Sequence, residues 1–263
     1  MKKLILTFLV VLPALIGSAQ KKETTKQSRK AEKREKYAAM AKQDEEGVLS
    51  YSRQNTFGIQ MRTNGYGIFY EHGRMKTPRF TNMYLVELTE VKHPKEDRVQ
   101  STEGAFGSSF IYGKINNFYQ LKLGFGQQYI FGQKGNKNGI AVMGIYQGGL
   151  SLGLLRPYYL DVNDNNTKRA VKYESADSAI FLSNNILGSS GLSKGWNELK
   201  VRPGAFLKAA LRFDFNKYNE RVQAVQIGLS VEGYAQKIPQ IIDRKPQQIF
   251  FQGHIAYVFG GRR

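Results

Sequence analysis

The sequence predicts an all-β fold, an eight-stranded antiparallel transmembrane β-barrel preceded by a charged, partly helical periplasmic tail. Three observations predict it. The last long segment, residues 247–259, places Phe251, Gly253, Ile255, Tyr257 and Phe259 on one face and Gln252, His254 and Ala256 on the other. A period of two sets one face of a strand against an apolar medium, and aromatics near strand ends suit a membrane interface. Six earlier segments repeat the alternation, and with the less regular residues 140–160 they bring the count to eight. The connections after the third and fifth strands in chain order are long, and those after the fourth and sixth are short, as in barrels with long outer loops and short periplasmic turns.

The strands follow in order. Residues 56–63 set Phe57, Ile59 and Met61 against Gly58, Gln60 and Arg62, and Asn64-Gly65 signals a hairpin into 66–73. There Ile68 and Tyr70 oppose Phe69 and Glu71; in 80–91, Tyr84, Val86 and Leu88 oppose Leu85 and Glu87. Residues 117–131 place Tyr119, Leu121, Leu123 and Phe125 opposite Gln120, Lys122, Gly124 and Gly126. Residues 140–160 are glycine-rich and poorly phased. Residues 204–215 and 222–234 alternate cleanly, with Leu207, Leu211, Ile227 and Leu229 opposite Lys208, Arg212, Gln226 and Glu232. Residues 92–115 and 161–202 are expected to be long loops.

The other face carries Arg62, Lys122, Lys208 and Arg212 against Glu71, Glu87, Asp214 and Glu232, with His254 among them. Balanced charge inside eight strands predicts a packed polar lumen with no aqueous pore. A soluble eight-stranded barrel is the structural rival, and it would carry the apolar face inward.

The chain opens with Met1-Lys2-Lys3, an apolar run over 4–16 and the small residues Gly17-Ser18-Ala19. This is the pattern of a secretory signal peptide at 1–19. No later apolar run reaches about 18 residues, so no transmembrane helix is expected. Residues 20–50 are rich in Lys, Arg, Glu and Gln with little to bury, and read as a charged tail before a barrel domain over 51–263. The formal charge is +18, and the chain has no cysteine, which excludes disulfides and thiolate metal sites. In a cytosolic protein such charge would argue nucleic acid. Export makes outer-membrane lipids and lipopolysaccharide phosphates the expected counterpart, with no nucleic acid.

Candidate chemistry is sparse. His254 could share a layer with Ser230 and Glu232, the parts of a hydrolytic site, but no motif positions a nucleophile, and a lumen hydrogen-bond network is the plainer reading. Residues 161–166 imitate the start of a calcium loop, yet Asn166 stands where glycine is needed and Lys172 where the bidentate Glu belongs. No metal or cofactor is expected. Lys92, His93, Lys95 and Arg98, together with Arg156, Tyr158 and Tyr159, form a candidate basic and aromatic loop surface for lipopolysaccharide or a protein partner.

Four stretches carry a family resemblance: Arg-Thr-Asn-Gly-Tyr-Gly-Ile-Phe-Tyr-Glu at 62–71, Lys-His-Pro-Lys-Glu at 92–96, Ser-Phe-Ile-Tyr-Gly-Lys-Ile-Asn-Asn-Phe-Tyr at 109–119 and Gly-Gly-Leu-Ser-Leu-Gly-Leu-Leu-Arg-Pro-Tyr-Tyr-Leu at 148–160. The chain resembles small outer-membrane β-barrel proteins of Gram-negative bacteria, in particular uncharacterised barrels of the Bacteroidota type. The resemblance implies fold and compartment and supplies no catalytic residue. Three function classes follow: a non-enzymatic docking or structural subunit of an envelope assembly (secretion or biogenesis type), a lipid A-modifying enzyme, and a small pore. The charge-balanced lumen weighs against the pore and the missing nucleophile motif against the enzyme.

Overall fold

The computed structural model describes Arg34, Leu49 and residues 51–101, 108–135, 138–164, 167–174, 178–182, 185–242 and 244–263. The expected leader and the tail lie outside those residues, apart from Arg34, which is helical, and Leu49.

Eight antiparallel strands close into one barrel: β1 (Arg53–Arg62), β2 (Gly65–Met75), β3 (Phe80–Val91), β6 (Asn116–Gly132), β7 (Ala141–Pro157), β11 (Lys200–Asp214), β12 (Arg221–Ile238) and β13 (Gln247–Arg262). The seam is β1 against β13, paired from Gln54↔Arg262 to Arg62↔His254. Following direct cross-strand partners from Glu90 on β3 through Tyr66, Met61, Ile255, Ile227, Leu211, Gly144 and Tyr129 returns to β3 at Phe80. That is a stagger of ten residues, from 90 to 80. Such a shear tilts the strands and gives eight of them a lumen just wide enough for side chains.

The residues between the strands differ by end. At the end where β1 begins and β13 finishes, the connections are short: 76–79, 133–140 and 215–220. The opposite end carries a folded cap. There the third connection holds the hairpin β4 (Arg98–Gln100) and β5 (Ser109–Ile111). The fifth holds β8 (Tyr159–Asp164), β9 (Thr167–Lys172), the helical turn α1 (Ser178–Phe181) and β10 (Ile186–Ser189), with sheet order β10-β8-β9. Phe110, Tyr158, Leu160, Val162, Val171, Phe181 and Ile186 form its own apolar core. The long loops expected at 92–115 and 161–202 are therefore structured, and β11 starts at Lys200. Pro203 is tolerated because β11 at that point pairs with β7 alone, its ladder to β12 beginning at Gly204.

The hairpin between β1 and β2 turns on Thr63 and Asn64, and Gly65 is already paired with Arg62. Gly65 is required for another reason: a Cβ there would lie 1.9 Å from the Glu90 carbonyl oxygen of β3. Residues 141–157, which have no clear phase in the sequence, are one strand with Met143, Ile145, Gln147 and Ser151 inward and Tyr146, Leu150, Leu152 and Leu154 outward.

Burial is inverted relative to a soluble barrel. Outward positions such as Phe57, Ile59, Met61, Leu150, Leu207, Leu229, Phe251 and Ile255 are exposed and apolar, while Gln60, Glu71, Glu87, Lys122, Arg212 and Glu232 are buried. So wide an exposed apolar wall cannot face water. Closure satisfies the barrel's backbone groups without an edge in the bilayer. The soluble-barrel alternative falls on this inversion. No helix among the described residues is long and apolar enough to cross a membrane; the strands do that work.

Candidate functional site

The lumen is filled in layers. At the cap end, Val91, Phe118, Leu155, Tyr234, Ile238 and Phe250 pack as an apolar plug, with the Tyr234 hydroxyl 2.8 Å from Ser151 Oγ. The connection from β12 to β13 crosses above it. Gln240 Nε2 donates to the Val91 carbonyl at 3.0 Å, Ile115 N to the Gln240 carbonyl at 2.8 Å and Ile242 N to the Gly113 carbonyl at 2.9 Å.

Beneath the plug, two carboxylates hold three cations. Glu87 lies 3.0 Å from Lys122 Nζ, 2.9 Å from Lys208 Nζ and 3.7 Å from Arg62 Nη1. Glu232 meets Lys122 at 2.7 Å and pairs with Arg62. The next layer joins Arg212 to Glu71, and Gln147 Nε2 donates to Glu71 at 2.9 Å. Gln226 accepts from Arg212 Nε at 3.1 Å, and its amide nitrogen lies 3.2 Å from His254 Nε2. All nine residues expected in the lumen network are thus buried inside, from Arg62 on β1 to His254 on β13. The aromatic rings Phe69 and Phe206 pack into the same space over glycines. A Cβ on Gly58 would sit 2.2 Å from Phe69 Cζ, and one on Gly124 would sit 2.6 Å from Phe206 Cζ.

Two cations of this interior escape the sequence pattern. Arg262 Nη2 lies 2.7 Å from Asp214, and Lys134 Nζ approaches Asp214 at 3.9 Å and bonds the Asn216 carbonyl. Both would be counted as surface charge at the short-turn end, yet both are buried. Arg262 continues the inward parity of β13 past a Gly-Gly pair that hides it. Lys134 reaches in from a turn, where no period applies.

The chain ahead of β1 closes that end. Tyr51 is buried, with its hydroxyl 2.9 Å from Thr81 Oγ1 and 3.0 Å from Gln128 Nε2. Leu49 is fully buried against Tyr51, Ile130, Ala141 and Met143, and its N–H donates to Gln133 Oε1 at 2.8 Å. Gln133 follows β6, three strands from β1 around the ring, and Ala141 and Met143 belong to β7, the strand opposite β1. The segment therefore lies across the mouth as a stopper. Leu49, read in the sequence as part of the tail, packs with the barrel.

The expected loop surface divides. Lys92, Lys95 and Arg98 are exposed, and Lys92 stands over the Tyr66 ring at 5.1 Å. His93 and Tyr159 are half-buried. Partial burial holds His93 below the usual imidazole range, with Arg244 and Lys95 adding to the effect and Glu96 opposing it. Burial likewise lowers Lys114, against the pull of Glu96 at 2.9 Å. Partial burial and a hydrogen bond to Glu198 raise the Tyr159 phenol.

Arg156 and Tyr158 do not belong to that surface. Tyr158 is in the cap core, and Arg156 is buried, its guanidinium 5.7 Å from the Tyr119 ring and 5.0 Å from Trp196, donating to the Leu192 carbonyl at 2.6 Å. The physical reason is their place at the base of the cap, where β7 passes into β8 and a second layer of chain covers the strand end.

The hydrolytic arrangement is not assembled. The Ser230 hydroxyl bonds Glu232 and Arg62, both at 2.8 Å, and His254 faces Gly228 and Gln226. Residues 161–164 are the second part of β8, and Asp161 is spent on Lys168 of β9 at 2.9 Å and on Ser190 after β10. No group of His, Asp and Glu among the described residues could hold a metal ion.

Fold and site together define a small membrane-spanning β-barrel with a filled, ion-paired lumen and a folded cap at one end. No family model and no curated protein matches the sequence. Among solved structures it is similar to Ail, the attachment invasion locus protein of Yersinia pestis, alone and in complex with the heparin analogue sucrose octasulfate. Each match has 7% identity and a TM-score of 0.37 and covers 81% of this chain and 100% of Ail. A likeness of that strength adds nothing to what the strand order and burial already establish.

Proposed function

We propose that this chain is an outer-membrane β-barrel that works without catalysis, as a structural or docking subunit of an envelope assembly of the secretion or biogenesis type. The single observation that carries the reading is the lumen closed at both mouths, by the Leu49 stopper at one end and by the aromatic plug beneath the 239–246 connection at the other. A filled interior leaves no conduit, and its serine and histidine are engaged elsewhere, so the surfaces remain for function. In this reading residues 1–19 are a cleaved leader and the short-turn end faces the periplasm, with the charged tail, residues 20–50, acting on that side as a contact element through its part ahead of Leu49. Lys92, Lys95 and Arg98 then lie on the outer side, near lipopolysaccharide phosphates.

Deletion of residues 21–46 behind an intact leader tests the docking role, because it spares Leu49 and Tyr51. The barrel is expected to stay in the outer membrane and to run faster unboiled than boiled, while proteins that co-purify with the full chain are lost. Retention of the same partners would place the contacts elsewhere and reduce the tail to a spacer.

A further inference from the structure

We propose that the cap-end half of β13, Gln247–Gln252, is a strand-docking edge for an extended segment of another protein. The barrel rim is uneven. β12 and β13 continue well beyond the turn of the β1–β2 hairpin, which stops at Thr63 and Asn64. β1 pairs with β13 only as far as Arg62↔His254. From Phe251 to Gln247, β13 has β12 as its only ladder partner among the described residues, through Phe251↔Val231, Phe250↔Glu232, Ile249↔Gly233 and Gln247↔Ile238.

The seam ends in a defined way. Thr63 N donates to the Gly253 carbonyl at 3.0 Å, and Gly253 N donates to Thr63 Oγ1 at 3.0 Å, so a side-chain hydroxyl terminates the ladder. Backbone groups alternate in direction along a strand, so Phe251 and Ile249 aim their N–H and C=O to the same side as Gly253, above the hairpin tip. A strand edge of this kind is a template for pairing with another chain.

Two further features fit a polypeptide occupant. Phe251, 75% exposed, and Ile249, 59% exposed, carry the outward apolar wall up to this edge, so an added strand with apolar side chains on the same face would continue that wall. Proteins that blunt such edges place lysine or proline there, and this one presents aromatic and β-branched side chains. The flanks are cationic. Exposed Lys92, its N–H bonded to the Asn64 carbonyl, stands at the foot of the edge, and exposed Arg244 and Lys245 precede β13 at its head. The fitting partner is therefore an extended segment with alternate apolar side chains and acidic residues at its ends. The edge lies at the end of the barrel opposite Leu49, so it is independent of the tail contact proposed above.

The full-length protein in lipid nanodiscs tests this with a fluorescein-labelled peptide, Glu-Thr-Val-Thr-Val-Thr-Val-Glu. The expected result is saturable binding. It should weaken at least tenfold when alternate backbone nitrogens of the peptide are methylated, and to the same extent in Phe251→Pro. Proline there removes the outward-aimed N–H together with the Phe251 ring, and none of the N–H groups that pair with β12, and proline is tolerated on a strand whose N–H faces away from the ladder. The methylated peptide on the unaltered protein keeps the test valid if Phe251→Pro fails to fold. No binding, or equal binding of the methylated peptide, overturns the proposal. A dimer of the unaltered protein that Phe251→Pro dissociates also overturns it, and makes a second copy the occupant.

Discussion

The lumen and the cap belong to one chain and are built by opposite rules. In the cap, Leu160, Val162, Val171, Phe181 and Ile186 are inside, and charged residues such as Lys168 and Arg169 face out. In the barrel the middle of the interior is Arg62, Glu71, Glu87, Lys122, Arg212 and Glu232, with apolar layers such as the Phe118 plug beside it, and most leucines, among them Leu150, Leu207, Leu211 and Leu229, face out. The difference teaches where the solvent changes. Water around the cap makes apolar burial the driving force. Lipid around the barrel weakens that drive, so between its apolar layers the lumen is held by paired charge and hydrogen bonds, in which each member depends on its neighbours.

The largest expected effect comes from breaking the lumen's pairing. Glu87→Ala would leave Arg62 and Lys122 paired with Glu232 alone and take from Lys208 the carboxylate that it meets at 2.9 Å, and stranding buried charge in this way costs about 3–5 kcal/mol. Urea unfolding in detergent micelles measures it; a loss below about 1 kcal/mol would mean that water reaches the layer. The faces can also be reversed by substitution. Leu211→Arg on the outer wall is expected to cost about 2–4 kcal/mol or to block assembly, whereas His254→Ala leaves a folded, heat-modifiable barrel. Equal tolerance at the two positions would contradict the assigned faces.

The cap should yield separately. Leu160→Ala removes a fully buried side chain from its core, at a local cost of about 2–5 kcal/mol, typical of such truncations. The single tryptophan, Trp196, stacks on Tyr119 at the cap base and reports the change by fluorescence. The cap signal is expected to melt earlier while the barrel's gel shift is unchanged; a joint loss of both would make cap and barrel one cooperative unit.

The same contrast explains what the sequence revealed. Transmembrane strands of ten or more residues repeat the period often enough to be read, and all nine lumen residues follow from parity alone. The cap strands are three to six residues long, too short for alternation to rise above chance, so both cap segments read as loops. Residues 140–160 hid their phase because Gly144, Gly148, Gly149 and Gly153 dilute both faces. Arg156 and Tyr158 looked like surface residues because tertiary layering over a strand end leaves no local mark. The Leu49 stopper was illegible for a related reason: one apolar residue beside a charged stretch has no period at all.

The apolar wall faces lipid, and the charged face is sealed inside. The chain contains no cysteine, so single cysteines placed from 224 to 231 along β12 can carry a fluorophore without background. In bilayers containing brominated lipids, labels at 225, 227, 229 and 231 are expected to be quenched, while 224, 226, 228 and 230 resist both lipid quenching and aqueous thiol reagents. Odd positions that react freely with a water-soluble reagent and ignore the brominated lipid would contradict the account.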